Sequence, residues 1–218
     1  MARTIVGMTV AAANAVLLEA RSLCFLRQDE PVFGPVDFAL REGEIALIEG
    51  DNGSGKTTLM RVLTGMLRPG SGEVLLDGAP FSLDTVAGAV VFLGHHPGLK
   101  LDLSPRENLR VAAGLYGLRG GADIDVSLAE VGLAGYEDES VRRLSAGQKK
   151  RVALARLLIL PARVWLLDEP YANLDREGIA LVNRLLERHA ARGGAALVTS
   201  HGAVSFAGDA PRRIRLHA

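Results

Sequence analysis

Residues 50–58, Gly-Asp-Asn-Gly-Ser-Gly-Lys-Thr-Thr, constrain this chain more than any other stretch. They fit the pattern G-x-x-x-x-G-K-[ST], in which backbone N–H groups cradle phosphates, and the pattern carries meaning only between a strand and a helix. Both flanks are present. The apolar run Ile45-Ala46-Leu47-Ile48 precedes the loop, and Thr58-Leu59-Met60-Arg61-Val62-Leu63 follows it with a helical pattern. Gly50, Gly53 and Gly55 let the backbone bend tightly and bring its N–H groups close to an anion. The loop from Gly50 through Asp51, Asn52, Ser54 and on to Thr58 is therefore expected to wrap a phosphate chain. The following helix adds the partial positive charge of its N-terminus. Lys56 is expected to reach the β- and γ-phosphates, and Thr57 to place its hydroxyl on Mg²⁺.

Two further segments match a triphosphate site. Val164-Trp165-Leu166-Leu167 is wholly apolar, as a strand buried on both faces requires, and Asp168-Glu169-Pro170 follows it. Asp168 is positioned to bind Mg²⁺ directly or through water. Glu169 points differently, because successive strand residues alternate faces, and it is the candidate to polarise an attacking water. Leu144-Ser145-Ala146-Gly147-Gln148 opens a helix that continues through a basic run, Lys149-Lys150-Arg151. Ser145 is a good N-cap, and a helix N-terminus with a hydroxyl and a small glycine is a second phosphate-facing surface.

The remainder alternates strand and helix signals, which predicts a parallel α/β core. Expected strands are Val16–Ala20, Val36–Leu40, Glu44–Ile48, Glu73–Leu76, Val90–Leu93, Arg163–Leu167, Ala195–Thr199 and Arg213–Leu216. Expected helices are Gly55–Met66, Pro105–Tyr116, Val126–Val131, Ala146–Leu160 and Arg176–Ala191. Residues from about 95 carry helical periodicity with little strand signal, which suggests a helical lobe inserted at about 95–160. Residues 1–14 are expected to be a disordered extension; their apolar run resembles a secretory leader but is broken by Thr9 and Asn14. Lys plus Arg and Asp plus Glu both total 25 of the 218 residues, so nothing favours nucleic acid as a partner. The single cysteine, Cys24, excludes an intrachain disulfide and fits a reducing compartment. No run approaches the roughly 18–20 apolar residues that a membrane span needs.

In order and spacing these segments resemble the ATP-binding cassette ATPases over residues 16–218. GDNGSGKTT is similar to their Walker A motif, VWLLDEP to Walker B, and LSAGQ to their signature, with Ala146 in place of the usual glycine. Ala172-Asn173-Leu174-Asp175 resembles the D-loop, and His201 stands where the family has its switch histidine. The resemblance implies a P-loop core with an antiparallel β subdomain and an inserted helical subdomain, over residues 15–218. It implies ATP and Mg²⁺ as cofactors and a head-to-tail pair of copies. Each ATP would lie between Lys56 and its loop on one copy and Ser145, Ala146, Gly147 and Gln148 on the other, with His201 on the γ-phosphate. The family's Mg²⁺-contacting glutamine after the Val90–Leu93 strand is replaced by His96, or by His95. Its adenine-stacking aromatic is replaced by Arg27, whose guanidinium can stack on a base, or by the nearby Phe25.

Within the family, Phe92-Leu93-Gly94-His95, Pro97-Gly98-Leu99-Lys100 and Leu103-Ser104-Pro105-Arg106-Glu107-Asn108-Leu109 resemble the ATP-binding subunits of cytochrome c maturation. That resemblance implies a peripheral subunit on the cytoplasmic face of the bacterial inner membrane. Its partners would be integral-membrane permease subunits of the maturation system, and its work haem export or delivery.

Overall fold

The computed structural model describes residues 14–82, 86, 88–199 and 211–216. Two sheets form the frame. The first has the order β2-β1-β4-β5, with β1 Val16–Arg27, β2 Glu30–Arg41, β4 Ser71–Leu76 and β5 Ala79–Pro80, all neighbours antiparallel. The second is parallel, in the order β6-β7-β8-β3-β9, with β3 Ile45–Glu49, β6 Val90–Leu93, β7 Val164–Leu167, β8 Ala195–Thr199 and β9 Arg212–Arg215. The helices are α1 Lys56–Leu63, α2 Pro105–Tyr116, α3 Ile124–Glu130, α4 Ala146–Ile159 and α5 Arg176–Ala191, with a 3₁₀ turn at Val141–Arg143.

Side-chain alternation along the parallel strands divides the interior into two cores. Leu47, Trp165, Leu167, Ala196 and Val198 face a core shared with α2, α3, α4 and α5. Their neighbours Ala46, Ile48, Val164, Leu166, Ala195 and Leu197 face the other side, where α1 and the antiparallel sheet close over them. Burial on both faces explains why these strands read as unbroken apolar runs. Trp165 is fully buried and stacks on His189 of α5, with ring centroids 3.8 Å apart.

The α/β core expected from the sequence is present, and β6, β8, α2 and α5 have the anticipated bounds. Strands β1 and β2 run well beyond them. They are joined through Gln28 and Asp29, both at positive φ (53° and 64°), in a two-residue hairpin turn. The short β5 was not anticipated either. Asn14 donates to the Glu42 carbonyl at 2.8 Å; residues 1–13 of the expected extension lie outside the described residues.

Candidate nucleotide site

The parallel sheet brings the carboxyl ends of four strands to one edge. Strand β3 runs into the loop 50–55, β7 into Asp168, β8 ends at Thr199, and β6 leads to Gly94 and His96. Such an edge is the usual ligand crevice of an open α/β sheet.

The loop after β3 is a self-contained cradle. Lys56 is 8% exposed and folds back over it, its Nζ donating to the carbonyls of Gly50 at 2.6 Å and Asp51 at 2.9 Å. Gly55 caps α1 at φ 88°, and a Cβ there would stand 3.0 Å from the Val32 carbonyl of β2. A side chain is thus barred by both conformation and space. Gly53, at φ 89°, has no atom within 4 Å of its would-be Cβ, so the loop is open on that side. Asp51 and Asn52 are exposed at the crest; Thr58 is half-buried in the first turn of α1. Ser54 is 4% exposed and its hydroxyl has no hydrogen-bond partner among the described residues. A buried, unpaired hydroxyl beside a ring of amides suits an anion's oxygen.

A hydrogen-bond chain ties this loop to β7 and β8. Thr57 Oγ1 donates to Asp168 Oδ2 at 2.7 Å, and Thr199 Oγ1 donates to Asp168 Oδ1 at 2.8 Å. The Glu169 N–H in turn donates to Thr199 Oγ1 at 2.9 Å. Asp168 is 2% exposed, and its own N–H donates to the Leu93 carbonyl of β6 at 2.8 Å. A hydroxyl and a carboxylate already side by side form the hard oxygen pair that Mg²⁺ prefers. The residues expected to hold the ion, Thr57 and Asp168, are therefore brought together.

Glu169 adopts φ 51°, unusual for a residue other than glycine. Its carbonyl accepts from Ala172 N–H at 3.2 Å and from Lys150 Nζ at 3.0 Å. Lys150 is 4% exposed; burial lowers its pKa, and the charges of Asp168 and Glu169 oppose that shift.

The α4 cap is a different kind of place. Ser145 Oγ accepts from Gln148 N–H at 3.2 Å, and Gln148 Oε1 accepts from Ser145 N–H at 2.9 Å, a complete capping box. Ser145 and Ala146 are exposed, Gly147 and Gln148 half-buried. No hydrogen bond among the described residues joins this cap to the loop around Lys56.

The other expected residues have surroundings of their own. His96 is exposed, lies edge-on to His95 with ring centroids 5.3 Å apart, and lines a cavity of about 510 Å³ with Phe92, Tyr116 and Arg156. No hydrogen bond among the described residues ties it to Thr57 or Asp168. Arg27 is exposed at the hairpin end of β1. Phe25 already has an aromatic neighbour, Phe33, at 6.3 Å. His201 lies outside the described residues. Two residues not singled out from the sequence belong to the site. Thr199 was legible as the polar end of the apolar run Ala195–Val198. Lys150 stands three, four and seven residues before Ala153, Leu154 and Leu157, on the buried stripe of its helix rather than with the solvated basic run.

The sequence profile of the ABC transporter family matches residues 33–172. The cytochrome c biogenesis ATP-binding export protein CcmA of Xanthomonas campestris is 55% identical over 202 residues, covering 93% of this chain and 94% of its own. This chain belongs to the ATP-binding cassette family of transporter subunits. The protein of the same description from Methylococcus capsulatus is 49% identical to this cassette, over 87% of this chain and 93% of its own. Among solved structures, an ABC transporter ATP-binding protein from Pyrococcus furiosus superposes with a TM-score of 0.78 at 26% identity, over 92% and 97% of the two chains. The matched span includes both the loop around Lys56 and Asp168.

Proposed function

We propose that this chain is the ATP-hydrolysing subunit of a membrane complex that drives haem export or delivery for c-type cytochrome maturation. The observation that carries the hydrolytic part is the chain of bonds from Thr57 through Asp168 and Thr199 to the Glu169 backbone. The maturation role is supported by 55% identity to a protein described as a cytochrome c biogenesis ATP-binding export protein.

In this reading Lys56 and the amides of residues 50–57 bind the β- and γ-phosphates. Thr57 and Asp168 hold Mg²⁺, which when bound screens the phosphate charge. Glu169 orients the attacking water and takes its proton, with His201 at the γ-phosphate. Thr199 holds the Asp168 carboxylate and the Glu169 backbone in register, so that neither must reorganise as charge shifts. Arg27 is assigned to the adenine, and His96 to the ion or its water.

The Ser145–Gln148 cap completes the site on a second copy arranged head to tail. Its exposure, and the lack of any hydrogen bond among the described residues between it and the loop of its own chain, support that arrangement. ATP would favour the closed pair by its greater affinity for it, and hydrolysis would release it. The lobe at about 95–160 would pass this movement to integral-membrane permease subunits. In this reading the chain sits peripherally on the cytoplasmic face of the inner membrane, where those subunits would hold it; no helix among the described residues is long and apolar enough to cross a membrane.

The test is co-purification of the tagged chain from bacterial membranes, with ATPase activity measured on the complex. Recovery of the permease subunits of cytochrome c maturation is expected. Recovery of another exporter's permease, or none with full ATPase activity, would sink the assignment.

A further inference from the structure

The turn between β7 and α5 is gripped at three points by the helix that starts at the signature. Lys150 Nζ donates to the Glu169 carbonyl at 3.0 Å. One turn earlier, a Cβ on Gly147 would stand 3.3 Å from the Asn173 carbonyl, so the helix backbone lies directly against that residue. Arg151 Nη2 reaches Asp175 Oδ1 at 3.4 Å, the same oxygen that accepts the Gly178 N–H at the α5 cap. The gripped turn contains two of the described non-glycine residues at positive φ, Glu169 at 51° and Asn173 at 62°. Such residues keep that conformation only when their surroundings over-determine it.

Of the three contacts, Lys150 is the one buried inside the molecule. A lysine is rarely taken this far out of water without a partner. Here the partner is the backbone of the residue proposed to polarise water, and the Asp168 and Glu169 carboxylates lie close enough to act on its charge.

We propose that Lys150 is a positioning residue for hydrolysis: it fixes the Glu169 turn from α4, so that the carboxylate meets the attacking water only while α4 is seated. The bond runs from the helix whose other end carries the Ser145 cap. Seating of that cap against the nucleotide of a second copy would thereby reach the glutamate of its own chain. This rests on the reading of Glu169 given above.

The test compares Lys150→Met, similar in length but without a donor, with Lys150→Gln, a shorter neutral donor, in the full chain with Mg²⁺ and ATP. Glu169→Gln serves as the reference. The methionine variant should lose at least tenfold in kcat while its KM for ATP and nucleotide affinity stay within twofold. The glutamine variant should fall between it and wild type. A kcat within twofold of wild type for Lys150→Met, with Glu169→Gln inactive, overturns the role of Lys150 and leaves that of Glu169 standing. Normal turnover by Glu169→Gln overturns the reading beneath both. Parallel loss of kcat, nucleotide affinity and thermal midpoint in Lys150→Met would mark the lysine as merely structural. If the methionine variant does not fold, Lys150→Gln decides, and a kcat equal to wild type defeats the proposal.

Discussion

The loop around Lys56 and the cap at Ser145 are both helix N-termini suited to phosphate, yet they are built on opposite plans. The loop is closed on itself: its lysine is buried and bonded to two of its own carbonyls, and Thr57 is locked to Asp168. The cap is satisfied only locally, by the reciprocal bonds of Ser145 and Gln148, and stands exposed. A cradle built within one chain can bind a ligand before a second copy arrives. In the proposed head-to-tail pair, the open, preorganised cap would do its work when the second copy arrives.

Four substitutions separate the two plans. Glu169→Gln removes the carboxylate proposed to polarise water but leaves the cradle whole, so steady-state turnover should drop by ~10²–10⁴-fold with nucleotide still bound. Retained turnover would mean that the closed half is not where hydrolysis is assisted. Lys56→Ala removes the cradle's cation and should weaken nucleotide binding to the isolated chain by about 10–100-fold, from the ~1.5–3 kcal/mol carried by bonds to a charged group. Calorimetric titration with a non-hydrolysable analogue measures it, and unchanged affinity would refute the self-contained cradle.

Thr199→Val keeps the shape but strands an Asp168 oxygen and the Glu169 N–H, costing about 2 kcal/mol in urea unfolding and lowering kcat. Equal stability and rate would show the network to be ornamental. Ser145→Ala should cost only ~1 kcal/mol of stability through the lost cap. Its nucleotide affinity in dilute solution should equal wild type, while ATPase activity at high protein concentration falls. Weakened binding at high dilution would place the cap on its own chain's nucleotide and remove the contrast.

Much of the fold was legible. Strands β6 and β8 and helices α2 and α5 carried their signals locally, as unbroken apolar runs or as amphipathic stretches with caps at Ser104 and Asp175. Of the hairpin of β1 and β2, the sequence signalled only the separate strands Val16–Ala20 and Val36–Leu40. Gln28-Asp29 is a weak turn signal beside Asn-Gly, and the strands around it are held by pairing across the sheet rather than by propensity.

In the site the division is sharper. Lys150 reads as one cation in a solvated run, because charge is visible in a sequence and burial is not. Only the packing of α4 against the β7–α5 turn turns it inward. By itself the sequence determined the glycine-rich loop after β3, the carboxylate pair Asp168–Glu169 and the helix cap at Ser145, since each is specified by residues within a few positions of one another. That Thr57, Asp168 and Thr199 meet at one edge was decided by the strand order β7-β8-β3, which sets Thr199 between two chain segments more than a hundred residues apart. Local spacing encodes backbone geometry, whereas contacts across strands exist only once both faces of the sheet are buried and its register is locked.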